Sequence, residues 1–170
     1  MLQSLRESGP GLLVPLAWLF VAAAHQGLVS EQSIFIAHLV MAAFISFFLV
    51  TGWSQMATGA LAGWRAVMIV GLGITLAGIA GFLVEPASIE ATGLWSASLV
   101  GWMILPAVGL AYTGRLLDSA ASIYIASAVL SGLGAVIYIL SLVGIGGELL
   151  GLVLVGVGQT VGIVDAVVRF

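Results

Sequence analysis

His25 and His38 are the only imidazoles in a chain that contains neither cysteine nor lysine. Neutral imidazole nitrogens ligate metals and carry protons, and two of them facing a gap can hold haem iron axially. A copper or zinc site would need further ligands, from Gln26, Glu31 or a second subunit, because two histidines without thiolates do not fill a coordination sphere. Haem b needs only one or two axial ligands, so it suits this inventory better. The small residues Ala22, Ala23 and Ala24 before His25, and Ala37, Ala42 and Ala43 around His38, leave room for a flat group. A plainer account also stands: His25, followed by Gln26, marks a membrane interface, and His38 is a hydrogen-bonding residue between helices.

A second polar set lies near the C-terminus, where Gln159, Thr160, Asp165 and Arg169 interrupt an apolar run. Asp165 and Arg169 have the i,i+4 spacing of a local ion pair on one helical face. Gln159 sits deeper and needs a partner, for which Ser131 is a candidate. Pro106 removes a backbone donor inside an apolar helix and predicts a kink there. With Ser131, Tyr138 and Gln159 it outlines a possible path for a small solute or a proton. Glu85, Glu90 and Glu148 would form a weakly acidic vestibule, or serve only as solvated loop acids.

The elements that carry these residues follow from composition. Of the 170 residues, 62% are hydrophobic and 6% charged, and the mean hydropathy is +1.27. A soluble domain is about one-quarter charged, so this chain cannot cover itself with a water-facing surface. A spanning helix needs about 20 apolar residues. Six such segments are present, at about 12–28, 33–53, 64–84, 93–113, 121–143 and 149–168. Turn chemistry separates them at Ser30-Glu31, Thr58-Gly59, Glu85-Pro86, Gly114 with Asp118, and Gly144 to Gly147. The fold class expected is an all-α integral membrane protein, one six-helix bundle in a single domain, multi-pass in the cell membrane.

Charge sets the orientation. Arg6, Arg65, Arg115 and Arg169 all fall on one side of the alternating segments, and Glu31, Glu85, Glu90 and Glu148 on the other. Positive charge stays cytoplasmic, so both termini are expected there. Trp53, Trp64, Tyr112 and Tyr124 then mark the inner interface and Trp95 the outer. His25, near the end of the first segment, and His38, near the start of the second, come to similar depth towards the outer face.

Helix contacts are written in small residues. Tyr124, Ser127, Ser131, Gly134, Tyr138 and Ser141 recur at spacings of three and four, a stripe that suits close packing in lipid. Gly71, Thr75 and Gly78 do the same for the third segment, and Gly151, Gly158 and Gly162 for the sixth. These faces serve packing within one subunit, a homodimer, or docking in a larger membrane complex.

The net charge of −3 leaves no basic surface for nucleic acid. No P-loop, GxSxG or HExxH is present, and no enzyme constellation emerges. Function narrows to three classes. The first is a b-type haem protein acting in electron transfer, with His25 and His38 as ligands. The second is a channel or transporter for a small solute or proton. The third is an assembly subunit without a ligand.

Overall fold

Helix boundaries follow local capping chemistry. Ser30 is extended at φ −72 and ψ 152 and its hydroxyl accepts from the Ser33 amide at 3.2 Å, which starts the second helix. Glu31 follows at the positive end of the helix dipole. The first helix stops because Gly27 turns left-handed at φ 69. The Leu28 amide donates to the Ala23 carbonyl and the Gly27 amide to the Ala24 carbonyl, each at 3.0 Å, which is a Schellman cap. Gly144, at φ 86, ends the fifth helix in the same way, with bonds from Ile145 to Leu140 and from Gly144 to Ser141.

The computed structural model describes residues 2–85 and 88–169, with side chains from Gly11 onward. The Arg6 side chain and Pro86, used above as topology and turn markers, lie outside this description. Among the described residues are six α-helices: α1 (Leu2–His25), α2 (Glu31–Gly52), α3 (Gly59–Gly81), α4 (Ile89–Leu116), α5 (Ala121–Leu142) and α6 (Glu148–Arg169). Short 3-10 turns at Gln55–Ala57 and Asp118–Ala120 precede α3 and α5. The helices α2 to α6 are long and apolar enough to cross a membrane, and the described apolar part of α1, Gly11–His25, is shorter. This is a multi-pass, all-helical membrane protein.

The least marked break in the sequence, at Gly146 and Gly147, is a real one, since α5 ends at Leu142 and α6 starts at Glu148. Other ends overrun the apolar segments. Thus α3 begins at Gly59 rather than Trp64, and α4 covers Ile89–Leu116. Hydropathy marks the lipid-facing stretch, whereas backbone hydrogen bonding continues into polar sequence until a cap stops it. Pro106 lies within α4, which continues through it.

The chain forms two compact units. The first contains Met1–Leu28 and Pro106–Phe170, and the second Val29–Leu105. In the first, α5 packs on α6 and α6 on α1. Its centre holds Leu110, Tyr124, Ser131, Leu152 and Val155, all almost fully buried. In the second, α2 packs on α3, and Ile45, Leu49 and Met56 form a core with Met41, Met68, Leu72 and Trp102 against it.

Candidate functional site

In the first unit, three helices bring His25, Tyr138 and Glu148 together. His25 closes α1, Tyr138 lies on the buried face of α5, and Glu148 opens α6. The imidazole Nδ1 lies 2.8 Å from the Val21 carbonyl. A carbonyl only accepts, so Nδ1 carries a hydrogen and donates it. The other nitrogen, Nε2, is 3.0 Å from the Tyr138 hydroxyl and 3.3 Å from a Glu148 carboxylate oxygen. The His25 and Tyr138 rings meet edge to face at 5.7 Å.

This geometry has two protonation states with different bonding. In neutral His25, Nε2 is a lone pair that accepts from the Tyr138 hydroxyl, and the Glu148 carboxylate faces it without a bond. In protonated His25, Nε2 donates and pairs with Glu148. The Nδ1 bond to Val21 is the same in both, so the ring keeps its orientation while the proton on Nε2 comes and goes. The His25 side chain is 19% exposed and that of Glu148 53%, so the acid links the partly buried ring to the medium.

Further along the same unit, the Trp18 indole donates to the Gln159 side-chain oxygen at 2.9 Å. Gln159 thus meets Trp18 of α1, where the sequence pointed to Ser131. Ser131 instead lies against Gly158, where a β-carbon would stand 2.7 Å from its hydroxyl oxygen. The tightest part of the seam is backbone on backbone. A β-carbon on Gly134 would come 2.6 Å from the Gly151 carbonyl, and one on Gly151 would come 2.8 Å from the Gly134 carbonyl. Gly162 meets Leu110 and Ser127. The glycine faces of α5 and α6 therefore pack inside the unit. Pro106 is buried in this unit too.

Near the far end of α6, Arg169 donates to Asp165 at 2.7 Å, the i,i+4 pair its spacing predicted. Tyr124 is 1% exposed, so it is a core residue rather than an interface anchor. The Asp165 carboxylate lies close enough to act on the Tyr124 hydroxyl electrostatically, without a hydrogen bond of ordinary geometry.

His38 belongs to the second unit. Its Nδ1 donates to the Ile34 carbonyl at 2.9 Å. Its Nε2 edge packs on α3 so closely that a β-carbon on Gly78 would stand 2.7 Å from it. Phe82 contacts the ring edge-on, and Trp95 meets Phe82 at a tilt with ring centroids 5.0 Å apart. Nearby, Trp102 donates to the Thr75 hydroxyl at 2.9 Å, and Thr75 to the Gly71 carbonyl at 2.8 Å. The Arg65 guanidinium lies 4.8 Å over the Trp53 ring, a cation–π contact.

For an axial haem ligand the atom that matters is Nε2: that of His25 meets Tyr138 and Glu148, and that of His38 packs against α3 at Gly78. Among the described residues, no group of three or more His, Asp or Glu side chains could hold a metal ion. Sequence reasoning missed the partnership of Glu148 with His25. The signal available was that both fall beside a turn on the same predicted side of the membrane. No protein family, curated protein or solved structure matches this chain.

Proposed function

We propose that the protein is a small membrane transporter of protons, loading them at His25. The observation that carries this is the placement of one imidazole nitrogen between a hydroxyl and a carboxylate, with the other nitrogen held by the Val21 carbonyl. Ionisable residues inside membrane helices are costly, and they commonly mark ion and proton routes. Here the ring can take a proton from the Glu148 side and give it up without turning. In the orientation favoured by the arginines, with six spans and both termini cytoplasmic, this site lies towards the outer face.

A larger solute fits less well. The Gly134–Gly151 contact brings two backbones together, and Ser131 is 0% exposed, so the unit holds no ready pore beside the expected path residues. Haem has no comparable support: the His25 Nε2 meets Tyr138 and Glu148, and the His38 Nε2 is packed against α3 at Gly78.

Purified protein in vesicles, with a potassium gradient and valinomycin to drive charge, tests the proposal through an internal pH dye. Acidification above that of empty vesicles, lost in His25→Ala and reduced in Glu148→Gln and Tyr138→Phe, is the expected result. Flux equal in wild type and His25→Ala would refute it.

A further inference from the structure

In the second unit, the end where α2 turns into α3 carries a charge without a protein counter-charge. Arg65, in the second turn of α3, is the only arginine or lysine of Val29–Leu105. Among the described residues no carboxylate pairs with it; the ion pairs are His25–Glu148 and Asp165–Arg169. The acids of this unit, Glu31, Glu85 and Glu90, belong to the other ends of its helices. Glu31 opens α2, Glu85 follows the end of α3, and Glu90 sits in the first turn of α4. Helices of 22 and 23 residues are about 33 Å long at 1.5 Å per residue, so acids at one end do not reach the arginine near the other. The Arg65 guanidinium is half-buried and rests 4.8 Å over the Trp53 ring. Held by a ring face, it keeps its N–H donors for an anion.

The same Trp53 walls a hollow. With Leu49 and Val50 of α2 it lines a concavity of about 520 Å³, within the range of ligand pockets, about 300–1,000 Å³. Its walls are apolar and it opens outwards, where Val50 and Trp53 are 79% and 52% exposed. Since α2 is long and apolar enough to cross the membrane, hydrocarbon is what such a hollow meets. Trp53 caps the C-terminal end of α2, the place of a tryptophan at the boundary between acyl chains and headgroups.

We infer that this hollow is a binding site for one anionic phospholipid, with an acyl chain along Leu49 and Val50 and the phosphate on Arg65. The Trp53 ring joins the two parts. A lipid accounts for both observations, because its chain and its phosphate are adjacent at the same boundary. A soluble anion would use the charge and leave the apolar hollow unused. A zwitterionic lipid brings its own cation and would leave Arg65 unbalanced. The site belongs to the second unit and does not rest on proton loading at His25.

Native mass spectrometry of the purified chain tests it, in detergent with equal amounts of phosphatidylglycerol and phosphatidylcholine of the same acyl chains. The wild type should retain one phosphatidylglycerol in preference to phosphatidylcholine. Arg65→Gln should lower that retention about fivefold, the effect of one arginine beside anionic lipid. Val50→Trp, which fills the hollow from an exposed position, should lower it with Arg65 intact. Arg115→Gln removes the same charge from an exposed position in the last turn of α4 and should change nothing. Circular dichroism checks that each variant keeps its helices. On the unaltered chain in vesicles, phosphatidylglycerol with a diazirine in its acyl chain should crosslink to α2 around Leu49 to Trp53. Unlabelled phosphatidylglycerol should compete, and phosphatidylcholine should not. Equal retention of the two lipids, equal losses in Arg65→Gln and Arg115→Gln, or crosslinks spread evenly over all helices would overturn the site. Displacement of the lipid by inorganic phosphate would overturn it too, since the site would then be one for a soluble anion.

Discussion

Two glycines on α5, Gly132 and Gly134, should respond oppositely to the same substitution. A β-carbon at Gly132 meets nothing within 4 Å, whereas one at Gly134 comes 2.6 Å from the Gly151 carbonyl oxygen and 2.7 Å from the Val155 amide nitrogen. Backbone atoms cannot rotate away as a side chain can, so α5 and α6 must separate. Overpacking of this kind costs about 1–3 kcal/mol. Alanine also favours the helix over glycine by about 1 kcal/mol, and both variants share that gain. The difference between them is therefore the overpacking cost alone. For a chain of this size, 1 kcal/mol moves Tm by about 2–4 °C. Gly134→Ala should melt below Gly132→Ala by roughly 2 to 12 °C on that scale, followed by circular dichroism in one detergent. Gly132→Ala itself should equal or exceed wild type. Equal Tm values for the two variants would refute the α5–α6 packing and with it the placement of Tyr138 beside Glu148.

Other substitutions probe separate contacts. Trp18→Phe leaves the buried Gln159 oxygen without its indole donor and should cost about 1–3 kcal/mol in denaturant unfolding; an unchanged midpoint would show that the bond carries no stability. Gly27→Ala forces a side chain into a left-handed conformation and should cost about 1–2 kcal/mol, measurable as a lower Tm. In the second unit, Gly78→Ala collides with His38 and Ser98 while Gly73→Ala meets open space, so only the first should lower Tm. Tyr138→Phe keeps the ring against His25 but removes its hydroxyl, and should slow proton uptake without lowering the helical content.

What the sequence makes legible, and what it does not, has a physical pattern. Composition and turn residues give six helices, because lipid demands long apolar runs and capping residues interrupt them. The Asp165–Arg169 pair is legible because both partners share one helix. The stripe on α5 is legible as a buried face, and Tyr124, Ser127, Ser131, Gly134 and Tyr138 are indeed buried. Periodicity says which face is packed but not which helix it meets. So spacing points Gln159 to a serine when it accepts from Trp18 on α1, and groups Glu148 with the loop acids when it faces His25. His25 and His38, which the sequence relates by depth alone, are each anchored to their own helix through the carbonyl four residues back.

The dependence of proton flux on external acidity tests the central claim most directly. A site that must bind a proton before passing it on saturates as the medium outside is acidified, whereas a leak rises in proportion to proton concentration. In vesicles at fixed membrane potential, wild-type flux should rise and then level off, and His25→Ala should fall to the background of empty vesicles. Wild-type flux that stays proportional to proton concentration throughout, and that persists in His25→Ala, would contradict a proton-loading site at His25.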